Sequence, residues 1–157
     1  MQISGKIKLL IIIFVGALCF TACEKDDICI EPMTPKLVMG LFDYEHQDEL
    51  KPVENLHLVA IGVEDTINFF NKDIVNIPLD VNNDNCRFAL INDTNVDVLE
   101  FNYQRENVFV SKTCGYKTIF KNLNVYLEED TDNWIKQIEI INHSIKIDTA
   151  VHVKIYH

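Results

Sequence analysis

The sequence predicts an all-β fold: a single antiparallel β-sandwich of immunoglobulin-like architecture, placed after an N-terminal leader. One observation behind this prediction is that nine or ten short apolar or alternating runs recur along the chain. Another is that polar turn signals separate these runs about every 8–12 residues, a spacing typical of sandwiches. The third is length, because the 135 residues after the leader are enough for one domain with a substantial core.

Each predicted strand ends at a polar or turn-forming segment. Pro78 has no backbone N–H to donate, so it indicates an edge strand or a strand end within 74–79. In chain order the predicted strands are residues 37–44, 56–63, 66–70, 74–79, 86–91, 96–103, 107–113, 116–120, 123–127 and 151–156.

Residues 134–145 fit two kinds of secondary structure. Several of their apolar residues share one helical face, namely Trp134, Ile138, Ile141 and Ile145. The density of isoleucine favours a strand instead. We predict a strand, with a turn of helix at 132–135, and we expect Trp134 to be an anchor of the core.

The N-terminus has the parts of a secretory leader. Lys6 and Lys8 precede an uncharged run, residues 9–20, and the small residues Thr21 and Ala22 follow it. A bilayer-spanning helix needs about 20 apolar residues, so this run is short for a permanent span. We therefore predict a signal peptide over residues 1–22.

Cys23 changes the prediction from secreted to lipidated. Residues 20–23 resemble a bacterial lipoprotein box, which implies cleavage before Cys23 and an acyl anchor of the palmitate type on its thiol. An ordinary signal peptide followed by a chance cysteine is the alternative. We divide the rest into a lipidated acidic tether, residues 23–35, and the β-sandwich domain, residues 36–157.

The four residues after Cys23 resemble the acidic tetrad of lipoproteins exported to the cell surface in the Bacteroidota. They are Glu24, Lys25, Asp26 and Asp27. The resemblance implies an outer-membrane protein, lipid-anchored and exposed at the surface. A plain charged linker on the periplasmic face is the alternative.

Charge excludes one class of partner. Of the 14 Lys and Arg residues, Lys6 and Lys8 belong to the leader, which leaves 12 basic against 24 acidic residues and a net charge of −12. A nucleic-acid-binding domain needs a basic patch on its surface. We therefore expect no nucleic-acid partner.

Three cysteines remain available for disulfide chemistry in an oxidising compartment, so three pairings are possible. Cys86 alternates with Phe88 and Leu90 and should behave as a small buried hydrophobe. Cys29 and Cys114 lie near the ends of predicted elements. We favour the pair Cys29–Cys114, with Cys86 as a free thiol.

No motif points to catalysis. The five histidines have no metal-binding spacing, the cysteines form no C-x-x-C, and neither Ser111 nor Ser144 lies in G-x-S-x-G. We expect no enzyme activity and no cofactor.

Two weaker patterns concern ligands and modification. Asp80, Asn82 and Asp84 resemble the first half of a calcium loop, although glycine is missing at the sixth position and glutamate at the twelfth. Asx-type turns are the alternative for these residues. Thr66 and Thr149 each follow an aspartate, as in a three-residue O-glycosylation signal of the same phylum.

Several segments together resemble a domain-of-unknown-function family of small Bacteroidota lipoproteins. They are residues 23–29, 34–38, 101–106, 109–117, 134–140 and 152–155. The resemblance implies that Cys29 and Cys114 are family positions and that Cys86 is not, which agrees with the favoured pairing. It implies no activity.

We therefore expect a lipid-anchored cell-envelope protein that acts as a non-catalytic binding or assembly module. Its partners would be the membrane, through the lipid, and an envelope protein complex. A surface protein that binds glycans or calcium is the alternative, with exposed aromatic rings stacking on sugars.

Overall fold

Nine strands form within residues 28–30 and 34–157, the part of the chain that the computed structural model describes. The predicted signal peptide, the predicted lipid-attachment residue Cys23 and the tetrad Glu24–Asp27 lie outside the described residues. The strands are β1 Leu37–Phe42, β2 Val53–Ala60, β3 Thr66–Lys72, β4 Ile74–Ile77, β5 Asn85–Asn92, β6 Asn95–Ser111, β7 Gly115–Leu127, β8 Gln137–Ile140 and β9 Val153–Tyr156.

The strands make two sheets that pack as a sandwich, which confirms the predicted fold class. The four-stranded sheet has the order β4-β1-β9-β8 and the five-stranded sheet the order β3-β2-β5-β6-β7. One pair departs from the antiparallel prediction, because β9 lies parallel to β1 with Met39 opposite Val153. An immunoglobulin constant domain places its first, second, fourth and fifth strands in one sheet. Here β1 shares a sheet with β4, β8 and β9, so the likeness concerns the two packed layers and not the strand order.

The core lies between the sheets and follows the period-2 alternation of the strands. In β6, for example, Leu99 and Phe101 are fully buried while their neighbours Val98 and Glu100 are only partly covered. Each such side chain contributes about 1.5–3 kcal/mol when it leaves water. Both sheets supply fully buried side chains, among them Leu37, Met39, Leu41, Leu56, Leu58, Ile77, Leu90, Leu99, Phe101, Phe120 and Ile155.

The β6–β7 hairpin is longer than predicted. The polar residues 104–106 separate two of the predicted strands, and residues 121–122 separate two others. In the structure both strands run through, because 104–107 are exposed strand residues on the part of the hairpin where little packs against them. A register shift next to Asn102 bends the pair, and Asn122 takes a positive φ of 53° at that place.

The segment before β8 is neither strand nor helix, so the prediction of a helical turn at 132–135 was wrong. Asp97 is the cause: its Oδ2 accepts a hydrogen bond from the Ile135 N–H at 2.8 Å, and its Oδ1 accepts one from the Asn133 side-chain amide at 3.2 Å. The backbone groups that a helix or a strand would use are bound to this carboxylate. Trp134 is a core anchor as predicted, and its indole N–H donates to the Leu90 carbonyl at 3.2 Å.

Candidate ligand pocket

An open pocket lies at one edge of the sandwich, where the β2–β3 turn and the β4–β5 loop meet β5. Its volume is about 610 Å³, within the range of about 300–1,000 Å³ typical of ligand sites. Its lining consists of Leu58, Ala60, Ile61, Val63, Asp65, Ile67, Pro78, Leu79, Asp80, Asn83, Asn85, Cys86, Arg87 and Phe88.

The pocket has an aliphatic floor and a partly exposed aliphatic rim. Leu58 and Leu79 belong to the buried core, whereas Ile61 and Val63 are half exposed. Gly62, between them, has a φ of +89°, a left-handed conformation that glycine adopts without strain. The turn therefore brings Ile61 and Val63 to the mouth of the pocket on either side of one glycine.

The free thiol of Cys86 forms part of the pocket wall. Cys86 shares a face with Phe88 and Leu90 as predicted, but it is only partly buried. Burial raises the pKa of the Cys86 thiol, and a hydrogen bond with Tyr103 opposes that rise. Since the thiolate is the nucleophilic form, a raised pKa makes Cys86 a slow nucleophile at neutral pH.

Tyr103 connects this wall to the β4–β5 loop. Its hydroxyl donates to the Asp80 carbonyl at 2.9 Å, and its ring packs edge-on against Phe120 at 5.0 Å. Burial, together with the neighbouring Cys86, raises the pKa of Tyr103 far above its ordinary value, so the hydroxyl stays protonated and remains a donor.

The calcium-loop candidates border the pocket, but their carboxylates have protein partners. Asp80 Oδ1 accepts from the Asn82 N–H at 2.7 Å, and Oδ2 accepts from the Asn83 side chain at 2.8 Å. Asp84 pairs with Arg105 Nε at 2.6 Å. The Asn83 and Asn82 hydrogen bonds lower the pKa of Asp80, and the Arg105 hydrogen bond lowers that of Asp84. Within 28–30 and 34–157 no three acidic, His or Cys side chains are grouped so as to hold a metal.

The histidines are dispersed, and His152 has a structural role. His152 is almost fully buried. Its ring Nδ1 accepts a hydrogen bond from the Val38 backbone N–H at 3.0 Å, and the backbone N–H of His152 donates to the Val38 carbonyl at 2.9 Å. Nδ1 must therefore be unprotonated, and the ring neutral. Desolvation lowers the pKa of His152 below the ordinary 6.5.

This burial predicts a loss of stability on mild acidification. The unfolded chain takes up a proton at His152 near pH 6.5 and the folded state does so only at lower pH, so the free energy of unfolding falls as pH drops below 6.5. Burial also lowers the pKa of His157, which adds to the loss of stability at acidic pH. We expect the melting temperature of His152→Asn, whose amide oxygen replaces the acceptor, to fall less between pH 7.5 and 5 than that of the wild type.

The pH range from 7.5 to 5 separates the titration of the buried histidines from that of the carboxylates with lowered pKa values. The pKa values of Asp43, Asp80 and Asp84 are lowered from 3.8, so these carboxylates act below the pH window used. His46→Asn is the control, because His46 is exposed and should leave the pH profile of the wild type in place. A His152→Asn profile that overlays the wild type would contradict the assignment.

The predicted disulfide is present. Cys29 and Cys114 are bonded across a sequence separation of 85, which joins the first described residues to the turn of the β6–β7 hairpin. Thr66 and Thr149 are both exposed, and their glycosylation stays a prediction.

The aromatic residues do not gather at the pocket, whose lining contains a single ring, Phe88. Phe101, Tyr103, Trp134 and Tyr156 are buried. Rings with substantial exposure lie elsewhere, at Tyr44, Phe70, Phe109, Tyr116 and Tyr126. Sugar stacking is therefore not a property of this pocket.

Sequence reasoning missed the pocket as a site. Its lining residues are ordinary core and turn types, and 30 positions separate Leu58 from Phe88 along the chain. The one local signal was the pair of aliphatic residues around Gly62 in a turn, where polar residues are more usual.

A family model described as a family of unknown function, DUF6452, matches residues 55–157. The chain belongs to this family. The match takes in β3 to β9, nearly all of β2, and Cys114, whereas β1, Cys29 and the predicted tether precede it. No match was found among curated proteins or among solved structures. The described residues contain no helix long and apolar enough to cross a membrane.

Proposed function

We propose that this DUF6452 protein is a lipid-anchored binding protein of the outer membrane that takes an aliphatic group of a partner polypeptide into its pocket. The lipid anchor is proposed from Cys23 and the segment before it, which resemble a lipoprotein box. Surface exposure is proposed from the acidic residues that follow.

The observation that carries the binding role is the pocket. Its floor and rim are aliphatic, and a few polar groups, including Asp65, Asp80 and Arg87, lie among them. An open cavity of this size with a small number of polar groups is the usual form of a binding site. The raised pKa of Cys86 argues for binding over catalysis, because the thiol in the wall is a poor nucleophile.

A polypeptide is favoured as the ligand because β3 borders the pocket and is an edge strand. Asp65 and Ile67 line the pocket, and among the strands within 28–30 and 34–157 β3 pairs with β2 alone. An extended segment that adds to such an edge gains backbone hydrogen bonds and places alternate side chains in neighbouring pockets. The exposed Phe70 on β3 offers further apolar contact.

Protection of Cys86 from maleimide tests this proposal, since the other mature cysteines are held in the disulfide or, as proposed, by lipid. We expect a short peptide rich in isoleucine and valine to slow the labelling of Cys86 several-fold. The same peptide N-methylated at alternate residues should protect less, because it cannot pair with β3. Ala60→Phe, which fills the pocket, should abolish protection.

The outcomes separate the parts of the proposal. Equal protection by both peptides, or protection by decanoate alone, would contradict strand addition and leave a small aliphatic ligand. Unchanged labelling with every probe would contradict the binding role of the pocket. Val96→Phe is the matched control, since Val96 is exposed away from the pocket and should not alter protection.

A further inference from the structure

The turn end of the β6–β7 hairpin carries two exposed aromatic rings and two lysines, of which Lys112 is exposed and Lys117 is half-buried, on a chain that is otherwise acidic. Phe109 and Tyr116 lie opposite each other in the strand register, with ring centroids 5.4 Å apart. They are 55% and 66% exposed. Lys112 and Lys117 flank them, and neither forms an ion pair with the residues that the structure describes. We call these four residues the hairpin tip.

The disulfide joins the hairpin tip to the middle of the predicted tether. Cys114 lies in the turn and is bonded to Cys29, which is six residues after Cys23. A fully extended chain spans about 3.3–3.6 Å per residue, so Cys23 reaches at most roughly 20 Å from Cys29. A lipid on Cys23 would therefore hold the hairpin tip close to the bilayer. Ile28 and Ile30, beside the disulfide, are 83% and 88% exposed.

From this arrangement we infer that the hairpin tip rests in the surface of the lipid bilayer. The inference depends on the lipid anchor of the proposed function. Tyrosine is enriched at the membrane interface, because its ring is apolar and its hydroxyl can stay in water. A phenylalanine beside it adds apolar area that is buried at the boundary of headgroups and acyl chains. The two lysines, which form no ion pair within the described part of the chain, suit anionic headgroups. An exposed aromatic pair with adjacent lysines is the chemistry that this surface recognises.

The same contact would orient the binding pocket. Asn85 at the pocket is opposite Asn102 in the sheet register, seven residues along β6 from Phe109. At about 3.3 Å per residue, the pocket stands roughly 23 Å from the hairpin tip. The pocket would then face the medium and not the bilayer, with its mouth clear of headgroups.

Tryptophan quenching by brominated lipids tests the inference. The full-length protein, purified from its host membrane, is placed in vesicles of phosphatidylethanolamine and phosphatidylglycerol whose acyl chains are brominated near the headgroup. Trp134 is the single native tryptophan and is buried, so the wild type gives the background. We expect Phe109→Trp to lose most of its added fluorescence to quenching.

Tyr126→Trp is the matched control. The exposed fraction of Tyr126, 58%, is similar to the 55% of Phe109. Tyr126 lies on the same hairpin, at the end opposite the turn. We expect it to escape quenching. Removing the Cys29–Cys114 disulfide with Cys29→Ser in the Phe109→Trp background should lower the quenching, because the tether then no longer holds the hairpin tip near the bilayer.

Each other outcome overturns a defined statement. If the protein partitions into the vesicles and its measured mass includes acyl chains, but Phe109→Trp is unquenched, the inference about the hairpin tip is wrong and the lipid anchor stands. Equal quenching of Phe109→Trp and Tyr126→Trp also overturns it, because the tip is then not the contact. Failure to partition, with no acyl mass on Cys23, overturns the anchor and the inference together.

Discussion

Replacing Asp97 with alanine is expected to cost about 3–5 kcal/mol of the free energy of unfolding. Asp97 is fully buried, and its carboxylate accepts hydrogen bonds from the Asn133 side chain and from the backbone N–H groups of Trp134 and Ile135. Alanine would leave these donors without a partner in a buried place, at about 1–3 kcal/mol for each unsatisfied group. Urea denaturation followed through Trp134 fluorescence measures the loss.

Two variants show whether the hydrogen bonds are the cause. Asp97→Asn keeps one acceptor but turns an amide N–H₂ toward backbone donors, so its cost should lie between those of the wild type and Asp97→Ala. Asp132→Ala is the control, because Asp132 is an exposed residue in the same loop and should change stability by less than about 0.5 kcal/mol. A midpoint for Asp97→Ala that equals the control would contradict this role of Asp97.

Most of the sandwich could be predicted because its strands carry their own local signal. Alternation in β6 and the apolar run of β1 identify these strands without knowledge of their partners. Pro78 likewise marked the end of β4, and β4 is an edge strand. Residues 92–95 separate two of the predicted strands, and the turn between β5 and β6 lies within them, where Asp93 takes a positive φ of 54°.

The parts that could not be predicted depend on partners distant in sequence. The conformation of 133–135 is fixed by Asp97, which lies in the predicted strand 96–103, 37 positions before Trp134. The pairing of β9 beside β1 joins the two ends of the described chain. The pocket arises where the β2–β3 turn meets the loop that connects β4 in one sheet to β5 in the other, and no local pattern encodes that meeting.

Removing the Cys29–Cys114 disulfide is expected to cost about 2–4 kcal/mol of the free energy of unfolding. The bond closes a loop of 85 positions. For such a loop, the chain-entropy model gives roughly 4–5 kcal/mol from restriction of the unfolded state. The double variant Cys29→Ser with Cys114→Ser should show the reduction as a lower urea midpoint.

The expected cost is smaller than the loop length alone suggests, because the native state also gains freedom when the bond is absent. Residues 28–30 precede β1, Ile28 and Ile30 are exposed, and the disulfide bonds this segment to the turn of the β6–β7 hairpin. Cutting it frees the segment in the folded protein and offsets part of the entropy gained by the unfolded chain. Cys86→Ser is the matched control, since it removes a thiol without opening a loop. If the double variant is no less stable than Cys86→Ser, the bond serves to position the tether on the hairpin and contributes nothing to stability.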